Sequence, residues 1–364
     1  MSLTDREREV VDLLRRDPLI GSAAIADALG TTRAAVNVHL SNLGKKGVIL
    51  GRGYVLSEEP AVVVVGGANM DVKARSAHAA VASTSNPGTA SMAAGGVGRN
   101  IAENLARLGT RVHLVAAIGA DGLGDQVLAA TSGAGVHVEH VRRSARSTGT
   151  YTAVLDADGE LVVAVADMAA TDELSPDQVD AARDLIAMAG LVVLDGNLAT
   201  DTLGFALDLA AESGTRVVLE PVSVPKAAVL GPLLTEERPV FAITPNRDEL
   251  AALTGLPTRT AKQVERAAAA LQDRGVELVW VRLGQAGSLL SGPEGETVLG
   301  AATAEVVDVT GAGDAMLGAF CHALLGGADP VEAATYGHAA AALTVASPHT
   351  VRPDLTDRLV RSLL

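Results

Sequence analysis

The chain has 364 residues, of which 48% are hydrophobic, and a formal net charge of −14. This length and apolar content suffice for one large domain with a buried core, plus a small additional domain. Residues 1–59 carry eight basic and eight acidic side chains, whereas residues 60–364 carry 21 basic and 35 acidic ones. Because phosphates repel an acidic surface, the large part is not expected to bind nucleic acid or anionic membranes broadly.

Cys321 is the only cysteine, so the chain cannot form an internal disulfide. Its apolar sequence neighbours favour a buried thiol over a nucleophile. No early segment has the basic, apolar and small-residue pattern of a secretion signal, and no segment supplies about 18 uninterrupted apolar residues. We therefore expect a soluble protein of the reducing cytoplasm that acts on small molecules.

The amino-terminal residues predict a winged helix-turn-helix domain. Three segments predict helices: TDREREVVDLLR (4–15) behind a Thr4 cap, SAAIADAL (22–29), and RAAVNVHLSNL (33–43) behind a cap at Thr31 or Thr32. KKGVILGRGYVL (45–56) then predicts a two-stranded hairpin, which would be the wing. This order of elements is that of a winged helix-turn-helix. The polar segment SEEP (57–60) marks the boundary, so we predict domains over 1–58 and 61–364.

The rest of the chain predicts an α/β domain, because buried strands alternate with helical stretches. The predicted strands are AVVVVGG (61–67), VHLVAAIG (112–119), LVVLDGN (191–197), RVVLEPVS (216–223), VFAITPN (240–246) and ELVWVRLG (277–284). Residues 148–167 instead predict an antiparallel hairpin that turns at Asp158 and Gly159. With residues 85–96 it would form a small sheet over the large one, giving a lid from about 72–94 and 148–168.

Residues 308–314, DVTGAGD, stand directly before a predicted helix. Successive small residues let backbone N–H groups face one point, and the helix start adds the positive end of its dipole, so the segment predicts an anion hole. Asp314 places a proton acceptor beside it. In phosphoryl transfer to an alcohol, charge develops on the phosphoryl oxygens while the hydroxyl loses its proton, so this arrangement predicts a kinase. The structural alternative is a glycine-rich turn with Asp314 as a helix cap.

A second glycine cluster, AAGGVGRNIAENLARLG (93–109), also opens a helix and presents the amide of Asn100 at its start. A dinucleotide-binding motif is disfavoured because its third glycine is missing. The next strand also ends at Gly119 rather than in the acid that would bind a ribose. The chain lacks G-x-x-x-x-G-K-[ST], which excludes a Walker-type ATPase.

GGVGRN (95–100) and DVTGAGDA (308–315) resemble the two signatures of the PfkB, or ribokinase-like, carbohydrate kinases. Three further segments match the family in the same order, over roughly residues 61–360: GANMD (67–71), PNRDE (245–249) and VRLGQAG (281–287). The resemblance implies a doubly wound, mainly parallel sheet with helices on both faces and a small β-sheet lid. It also implies an ATP- and Mg²⁺-dependent kinase.

The resemblance implies a role for each matching residue. Asp314 would be the general base, and Gly311, Ala312 and Gly313 would form the anion hole. The implied substrate-binding residues are Asn69, Asp71, Gly95, Gly96 and Asn100. The implied ATP-binding residues are Asn246, Glu249, Gly284, Gly287 and His338. Asn246 and Glu249 would hold Mg²⁺ through water, which suits a hard cation that keeps several waters. The alternative for this pair is a helix cap and a surface acid.

Within the family, the chain is most similar to pseudouridine kinases, which phosphorylate the 5′-hydroxyl of a nucleoside. The similarity lies in SNPG (85–88), ADM (166–168), EPVS (220–223), TPNRDEL (244–250) and RPDLT (352–356). Val97 stands where ribokinases commonly have lysine, which weakens an assignment as ribokinase. Val309 and Thr310 replace a frequent Thr-x pair, which leaves a monovalent cation such as K⁺ possible but open.

Four polar residues of the lid could hydrogen-bond a nucleobase, or could equally be polar residues on a strand surface: Asn86, Thr148, Thr150 and Asp167. Two alternative functions remain. One is a ribokinase- or fructokinase-like sugar kinase, and the other is a nucleoside- or sugar-responsive transcription regulator.

The amino-terminal module resembles the winged helix-turn-helix found ahead of some kinases of this family. The candidate DNA contacts on its recognition helix and wing are Arg33, Asn37, His39, Lys45, Lys46 and Arg52. Residues 1–56 carry eight basic and six acidic side chains, so DNA binding would be weak without dimerisation. An exposed lid sheet makes a homodimer the expected assembly. If the module does not bind DNA, it is a structural cap.

Overall fold

The structure, a computed structural model, describes residues 3–50 and 60–364. The chain divides into two compact units, Met1–Glu59 and Pro60–Leu364. Within the described ranges, every helix is too short or too polar to cross a membrane.

The smaller unit contains three helices: α1 (Asp5–Arg16), α2 (Ser22–Ala28) and α3 (Arg33–Lys45). Thr4 caps α1 in a reciprocal capping box with Glu7, and Thr32 caps α3 by accepting from the Ala35 N–H. A small apolar core joins the three helices through Val10, Val11, Leu14, Ile25, Ala26, Val36 and Leu43. The three predicted helices are therefore confirmed. Residues 51–56 of the predicted wing, with Arg52, lie outside the described residues.

The larger unit contains thirteen strands in two sheets. They are β1 (Val62–Val65), β2 (Asn69–Ser76), β3 (Gly88–Gly95), β4 (Val112–Gly119), β5 (Val141–Ser144), β6 (Thr150–Leu155), β7 (Leu161–Asp167), β8 (Leu191–Asp195), β9 (Val217–Glu220), β10 (Val240–Ile243), β11 (Val276–Arg282), β12 (Ser288–Gly292) and β13 (Gly295–Leu299).

Twelve α-helices accompany these strands. They are α4 (Val97–Arg107), α5 (Gly122–Gly133), α6 (Ala169–Asp172), α7 (Pro176–Asp180), α8 (Arg183–Ala187), α9 (Thr200–Ser213), α10 (Val224–Leu230), α11 (Arg247–Thr254), α12 (Ala261–Gln272), α13 (Ala312–Leu325), α14 (Pro330–Val345) and α15 (Asp357–Arg361). Short 3₁₀ turns occupy Gly231–Leu233 and Gly284–Ala286.

The large sheet has the order β13-β12-β11-β10-β9-β8-β1-β4-β5. Its strands pair in parallel from β11 to β5, and β12 and β13 form an antiparallel hairpin at one edge. Successive valines of β1 belong to different apolar clusters, since side chains alternate across a strand: Val62 and Val64 face one layer of helices, and Val63 and Val65 the other. Both faces are thus covered, as the apolar runs predict.

The layer that contains α4, α13 and α14 also contains Cys321, which is fully buried. Burial raises the pKa of this thiol to about 12, so it is protonated and inert at neutral pH, as its sequence neighbours indicate.

The small sheet has the order β3-β2-β6-β7. The predicted hairpin is confirmed: β6 and β7 pair in antiparallel fashion, and Gly159 takes the left-handed conformation in their turn (φ +89°). The central strand β2 pairs in parallel with β6 and in antiparallel fashion with β3. The pairing with β3 places Asn69 opposite Gly95. This pairing sets the start of β2 beside the start of α4.

Polar residues end several neighbouring strands of the large sheet at their carboxyl ends. Asp195, Glu220 and Arg282 are the last residues of β8, β9 and β11, and Thr244 directly follows β10. In parallel sheets, binding sites form at this edge. The fold therefore collects these four side chains at one place.

Candidate functional site

The segment DVTGAGD forms a tight turn at the start of α13. Gly311 caps the helix with φ +79°, and a Cβ at this position would overlap with the carbonyl of Thr350. The Ala312 N–H donates to Val309 O over 3.3 Å, whereas the N–H groups of Gly313 and Asp314 have no acceptor among the described residues. These two N–H groups and the helix dipole make an anion-binding helix start.

Asp314 lies in the first turn of α13 and is held from across the site. Asn100 Nδ2 donates to Asp314 Oδ2 over 2.9 Å. Burial raises the pKa of Asp314 to about 7; the Asn100 hydrogen bond opposes this rise, and the nearby charge of Glu220 adds to it. The carboxyl group is thus poised to take up or release a proton near neutral pH.

Asn100 is itself fixed by the buried start of α4. Its Oδ1 accepts from Arg99 Nη1 over 3.0 Å, and Arg99 forms a buried ion pair with Glu103. The amide is thereby oriented with its nitrogen toward Asp314. The predicted pair of Asn100 and Asp314 is brought together, although the two residues are 214 positions apart.

Asp71 lies at the start of the small sheet, beside the glycines that precede α4. Asn69 Nδ2 donates to Asp71 Oδ1 over 2.7 Å. A Cβ on Gly95 would overlap with the Asp71 carboxylate, and one on Gly96 (φ +96°) would overlap with the backbone at Gly67. Burial raises the pKa of Asp71, with the Asn69 hydrogen bond opposing it. The four predicted substrate-binding residues of this region are therefore adjacent.

Asp195 is a site residue that the sequence reasoning missed. It is fully buried, and its Oδ2 accepts from the N–H groups of Gly67 (2.9 Å) and Gly98 (2.8 Å). Its Oδ1 accepts from the Asn197 N–H over 2.9 Å. One carboxylate thus joins the loop before β2 to the first turn of α4. The signal in the sequence is an acid at the end of an apolar strand, LVVLD.

The sequence analysis did not predict Arg282 as a residue of the site. Its Nη2 donates to Glu220 Oε1 over 2.7 Å and to Glu249 Oε2 over 3.1 Å. Burial alone would lower the pKa of Arg282, but the two carboxylates outweigh it and the pKa is raised. A Cβ on Gly313 would lie 2.5 Å from Arg282 Nη1, so the guanidinium touches the anion-binding helix start. Its Nε is buried and has no hydrogen-bond partner among the described residues.

Asn246 and Glu249 form a capping box at the start of α11. Asn246 Oδ1 accepts from the N–H groups of Asp248 and Glu249, and Glu249 Oε2 accepts from the Asn246 N–H over 2.8 Å. Glu249 is nevertheless not a surface acid: it is only 3% exposed and contacts Arg282. Burial raises the pKa of Glu249, and the charge of Arg282 opposes this.

A cleft of about 630 Å³ adjoins the helix start of α13. Gly284, Gly287 and His338 line it together with Ala312, Gly313 and Arg282, and much of the remaining lining is alanine and valine. His338 shares a hydrogen bond with Ser288 Oγ (2.7 Å), and burial lowers the pKa of its imidazole, which keeps the ring neutral. A mostly apolar cleft that ends at free N–H groups and a guanidinium fits a nucleotide with its phosphates.

Two models of protein families match the chain. Residues 59–357 match the model of the pfkB family carbohydrate kinases, and residues 3–49 match that of a winged helix-turn-helix DNA-binding domain. The chain belongs to the PfkB family. The predicted fold, kinase class and amino-terminal domain type are thereby confirmed.

Two curated PfkB relatives come from Escherichia coli (strain K12). The uncharacterized sugar kinase YeiI is 36% identical, with 97% of each chain covered. The pseudouridine kinase is 31% identical, with 85% of this chain and 98% of the relative covered. Among solved structures, Arabidopsis thaliana ribokinase complexed with ribose and ATP is 27% identical with a TM-score of 0.75, covering 84% of this chain and 99% of that chain.

The four lid residues that were predicted to contact a base differ in exposure and in hydrogen bonding. Thr148 is buried: its hydroxyl donates to Asp121 Oδ1 (2.6 Å) and accepts from the Gly119 N–H (3.0 Å). Asn86 is exposed and bonds to the backbone of Val81 within its own loop. Both side chains are thus engaged in local structure.

Thr150 and Asp167 are paired neighbours at the ends of β6 and β7. Asp167 is exposed and accepts from the Ala169 N–H over 3.1 Å, while Thr150 is half-buried. Thr150 also pairs with Met70, which places it near the start of β2.

An ion pair joins the PfkB lid to the turn before α13. Lys73 Nζ donates to Asp308 Oδ2 over 2.8 Å, and Asp308 Oδ1 accepts from the N–H and the hydroxyl of Thr310. Asp308 therefore fixes the turn while a lid lysine neutralises it.

The predicted DNA-contact residues differ in their surroundings. Arg33, Asn37 and Lys45 are exposed on α3, His39 is half-buried, and Arg33 Nε donates to Ser22 Oγ. Lys46 forms an ion pair with the buried carboxylate of Glu7, at 2.7 Å.

Proposed function

We propose that this PfkB kinase transfers the γ-phosphoryl group of ATP to the 5′-hydroxyl of a nucleoside, with pseudouridine as the substrate. The observation that carries the proposal is the Asp314 carboxyl group, oriented by Asn100 and set between free N–H groups and the residues around Asp71. The identity to a pseudouridine kinase and the motifs shared with that group support the choice of acceptor.

In this proposal, ATP supplies the phosphoryl group when bound, with Mg²⁺ neutralising part of its charge. Asp71 and Asn100 hold the acceptor's hydroxyl groups. Asp314 Oδ accepts the proton of the attacking hydroxyl, and its raised pKa suits this role near pH 7. The N–H groups at Gly313 and Asp314, with the guanidinium of Arg282, stabilise the charge that develops on the phosphoryl oxygens.

The residues present fit Mg²⁺ through Glu249 more than through Asn246. The Asn246 side-chain oxygen already accepts from two backbone N–H groups, whereas Glu249 keeps one carboxylate oxygen outside the capping box. A carboxylate that acts on the ion through water suits a hard cation. Lys73 already neutralises Asp308, which disfavours a K⁺ site at this turn.

A nucleoside panel tests the acceptor. Purified full-length protein is assayed with ATP and Mg²⁺ against pseudouridine, uridine, adenosine, ribose and fructose, and kcat/KM is compared. The highest value is expected for pseudouridine. A clear preference for ribose or fructose would replace the proposal with a sugar kinase, which the name of the YeiI relative supports. No phosphorylation of any acceptor would contradict the kinase mechanism itself.

We propose a second role as a DNA-binding regulator, because residues 3–49 match a winged helix-turn-helix DNA-binding model and Arg33 and Asn37 are exposed on α3. We also propose a cytoplasmic homodimer. The test is a mobility-shift assay on DNA upstream of the gene, with and without pseudouridine. Arg33→Ala is expected to weaken the shift, and an unchanged shift would contradict the assignment of α3.

A further inference from the structure

A cluster of ligand-type side chains lies far from the catalytic edge of the large sheet. His113 is the second residue of β4, and His137 and Glu139 lie between α5 and β5. One ligand atom from each of the three residues lies within 4.8 Å of the other two. The catalytic end of β4 is at Gly119, six residues further along, or roughly 20 Å at the rise of a strand. The cluster is therefore separate from the kinase site.

Sheet-like pairing holds the two histidines side by side. The His137 N–H donates to Val112 O and the Leu114 N–H donates to His137 O, both over 2.9 Å, so His113 and His137 form a parallel bridge. Their rings stack with centroids 4.5 Å apart and planes inclined by 17°. The backbone thus fixes the two imidazoles as neighbours before any ligand binds.

His113 carries an unsatisfied nitrogen. The residue is 8% exposed, and its Nε2 is inaccessible to water with no hydrogen-bond partner among the described residues. A buried polar atom without a partner costs free energy, and such atoms are uncommon in folded proteins. A ligand that accepts a nitrogen lone pair would remove this cost.

Glu139 supplies the negative charge of the cluster. Its Oε1 lies 3.5 Å from His137 Nδ1, and both side chains are exposed. Two imidazoles and one carboxylate are the protein ligands of open zinc sites, in which water takes the fourth position. Metal–ligand distances of about 2.0–2.2 Å require the two exposed side chains to move inward by about 1 Å.

We propose that His113, His137 and Glu139 form a zinc-binding site that ties the segment before β5 to the edge of the sheet. Zinc bound there stabilises the folded chain, because the ligands come together only in the native state. The site takes no part in phosphoryl transfer, so it is independent of the proposed acceptor.

The test uses untagged full-length protein freed of metal with a chelator and titrated with ZnCl₂ by calorimetry. The wild type is expected to bind one Zn²⁺ per chain at this site and to gain thermal stability. His137→Ala and Glu139→Gln, both at exposed positions, are expected to weaken binding at least tenfold and to remove the gain in Tm. His78→Ala, which replaces an exposed histidine outside the cluster, is the matched control and is expected to bind like the wild type.

Titration with CoCl₂ gives an independent readout, because a tetrahedral site with nitrogen ligands produces intense visible absorption that both variants should lose. The proposal is overturned if His137→Ala and Glu139→Gln bind Zn²⁺ as tightly as the wild type, or if the wild type binds none.

Discussion

Asp314 is placed where its own charge is disfavoured. Surrounding protein raises the pKa of this carboxyl group, and one hydrogen bond from Asn100 only partly offsets the effect. A carboxyl group whose ionisation is made unfavourable by folding does not stabilise the protein, and such groups are typical of proton-transfer sites. Asp195 shows the contrast: burial also raises its pKa, but its oxygens accept backbone N–H groups and hold the loops around the site.

We expect Asp314→Asn to lower kcat by about 10²–10⁴-fold, because the amide cannot accept the hydroxyl proton. Binding of ATP and nucleoside should change little, since Asn100 can still donate to the new side chain. Steady-state kinetics and calorimetric binding measure the two effects. Asp184→Asn, which replaces an exposed acid in the first turn of α8, is the control and should leave kcat unchanged. Wild-type turnover in Asp314→Asn would remove this residue from the mechanism.

The pH dependence of the wild type should follow the same carboxyl group. With a pKa of about 7, Asp314 is protonated below neutrality, so kcat/KM should fall about tenfold per pH unit below 7 and level off above pH 8. A flat profile between pH 5.5 and 8 would contradict this.

The free energy of unfolding should change with pH in the opposite direction to kcat/KM. Because folding raises the pKa of Asp314 above its ordinary value, ionisation of this carboxyl group destabilises the folded state as the pH rises toward 7. Asp314→Asn should therefore increase Tm more at pH 8 than at pH 5, as measured by thermal denaturation.

Arg282→Lys should lower kcat roughly tenfold or more. A lysine ammonium is a compact charge and lacks the planar fork of N–H donors with which the guanidinium would contact two carboxylates and the phosphates at once. The nucleotide dissociation constant should change less than kcat. Arg238→Lys, in a surface pair with Asp208, is the control and should leave kcat unchanged. If Arg282→Lys lowers only Tm and leaves the turnover of the folded protein intact, the arginine is purely structural.

At the scale of elements, the site depends on where helices begin. Both α4 and α13 start at glycines with positive φ, Gly96 and Gly311, and a Cβ at either would strike backbone. These close approaches set the start of α4 against Gly67 and the start of α13 against Thr350, and the hydrogen bond between Asn100 and Asp314 joins the two helices.

Gly311→Ala should destabilise the protein by more than about 1 kcal/mol, because the left-handed conformation penalises a Cβ even before the overlap with Thr350. Activity should fall with it, since the start of α13 must shift. Urea denaturation and the kinase assay measure the two effects. Gly122→Ala at the start of α5, where a Cβ meets nothing within 4 Å, should be close to neutral. Equal behaviour of the two variants would contradict the role given to the turn.

The sequence predicts elements better than it predicts contacts. The strand at 112–119 is predicted to the residue, because an apolar run between turn residues has few alternatives. The β12–β13 hairpin was not predicted, since both strands have only five residues and β13 is largely exposed, so that only the pairing of β12 with β11 reveals them. The motif DVTGAGD identified Asp314. Arg282 and Asp195 were missed because their partners are distant in sequence, such as Gly67, which lies 128 positions from Asp195.

At the scale of the whole molecule, the two units have separate cores and match separate family models. The pseudouridine kinase relative matches 85% of this chain yet is itself covered over 98% of its length, whereas the YeiI relative matches nearly the whole chain. The pseudouridine kinase match extends over 311 residues, which is about the length of the unit Pro60–Leu364.

A protein limited to Pro60–Leu364 should therefore keep kcat and KM within a few-fold of the full chain, while any DNA shift should be lost. Kinase assays and mobility-shift assays on both proteins test this. Loss of turnover in the shortened protein, with its Tm unchanged, would show that the kinase needs its amino-terminal unit.

The row of polar residues at the carboxyl ends of β8 to β11 links catalysis to the accuracy of folding. Side chains alternate along a strand, so a slip of one residue in any of these strands would turn Asp195, Glu220 or Arg282 away from the site. A chain assembled with such a slip would keep most of its helices and strands but would not turn over substrate. Specific activity after refolding therefore measures the fraction of molecules with the correct strand register. Circular dichroism would not distinguish these molecules from misaligned ones.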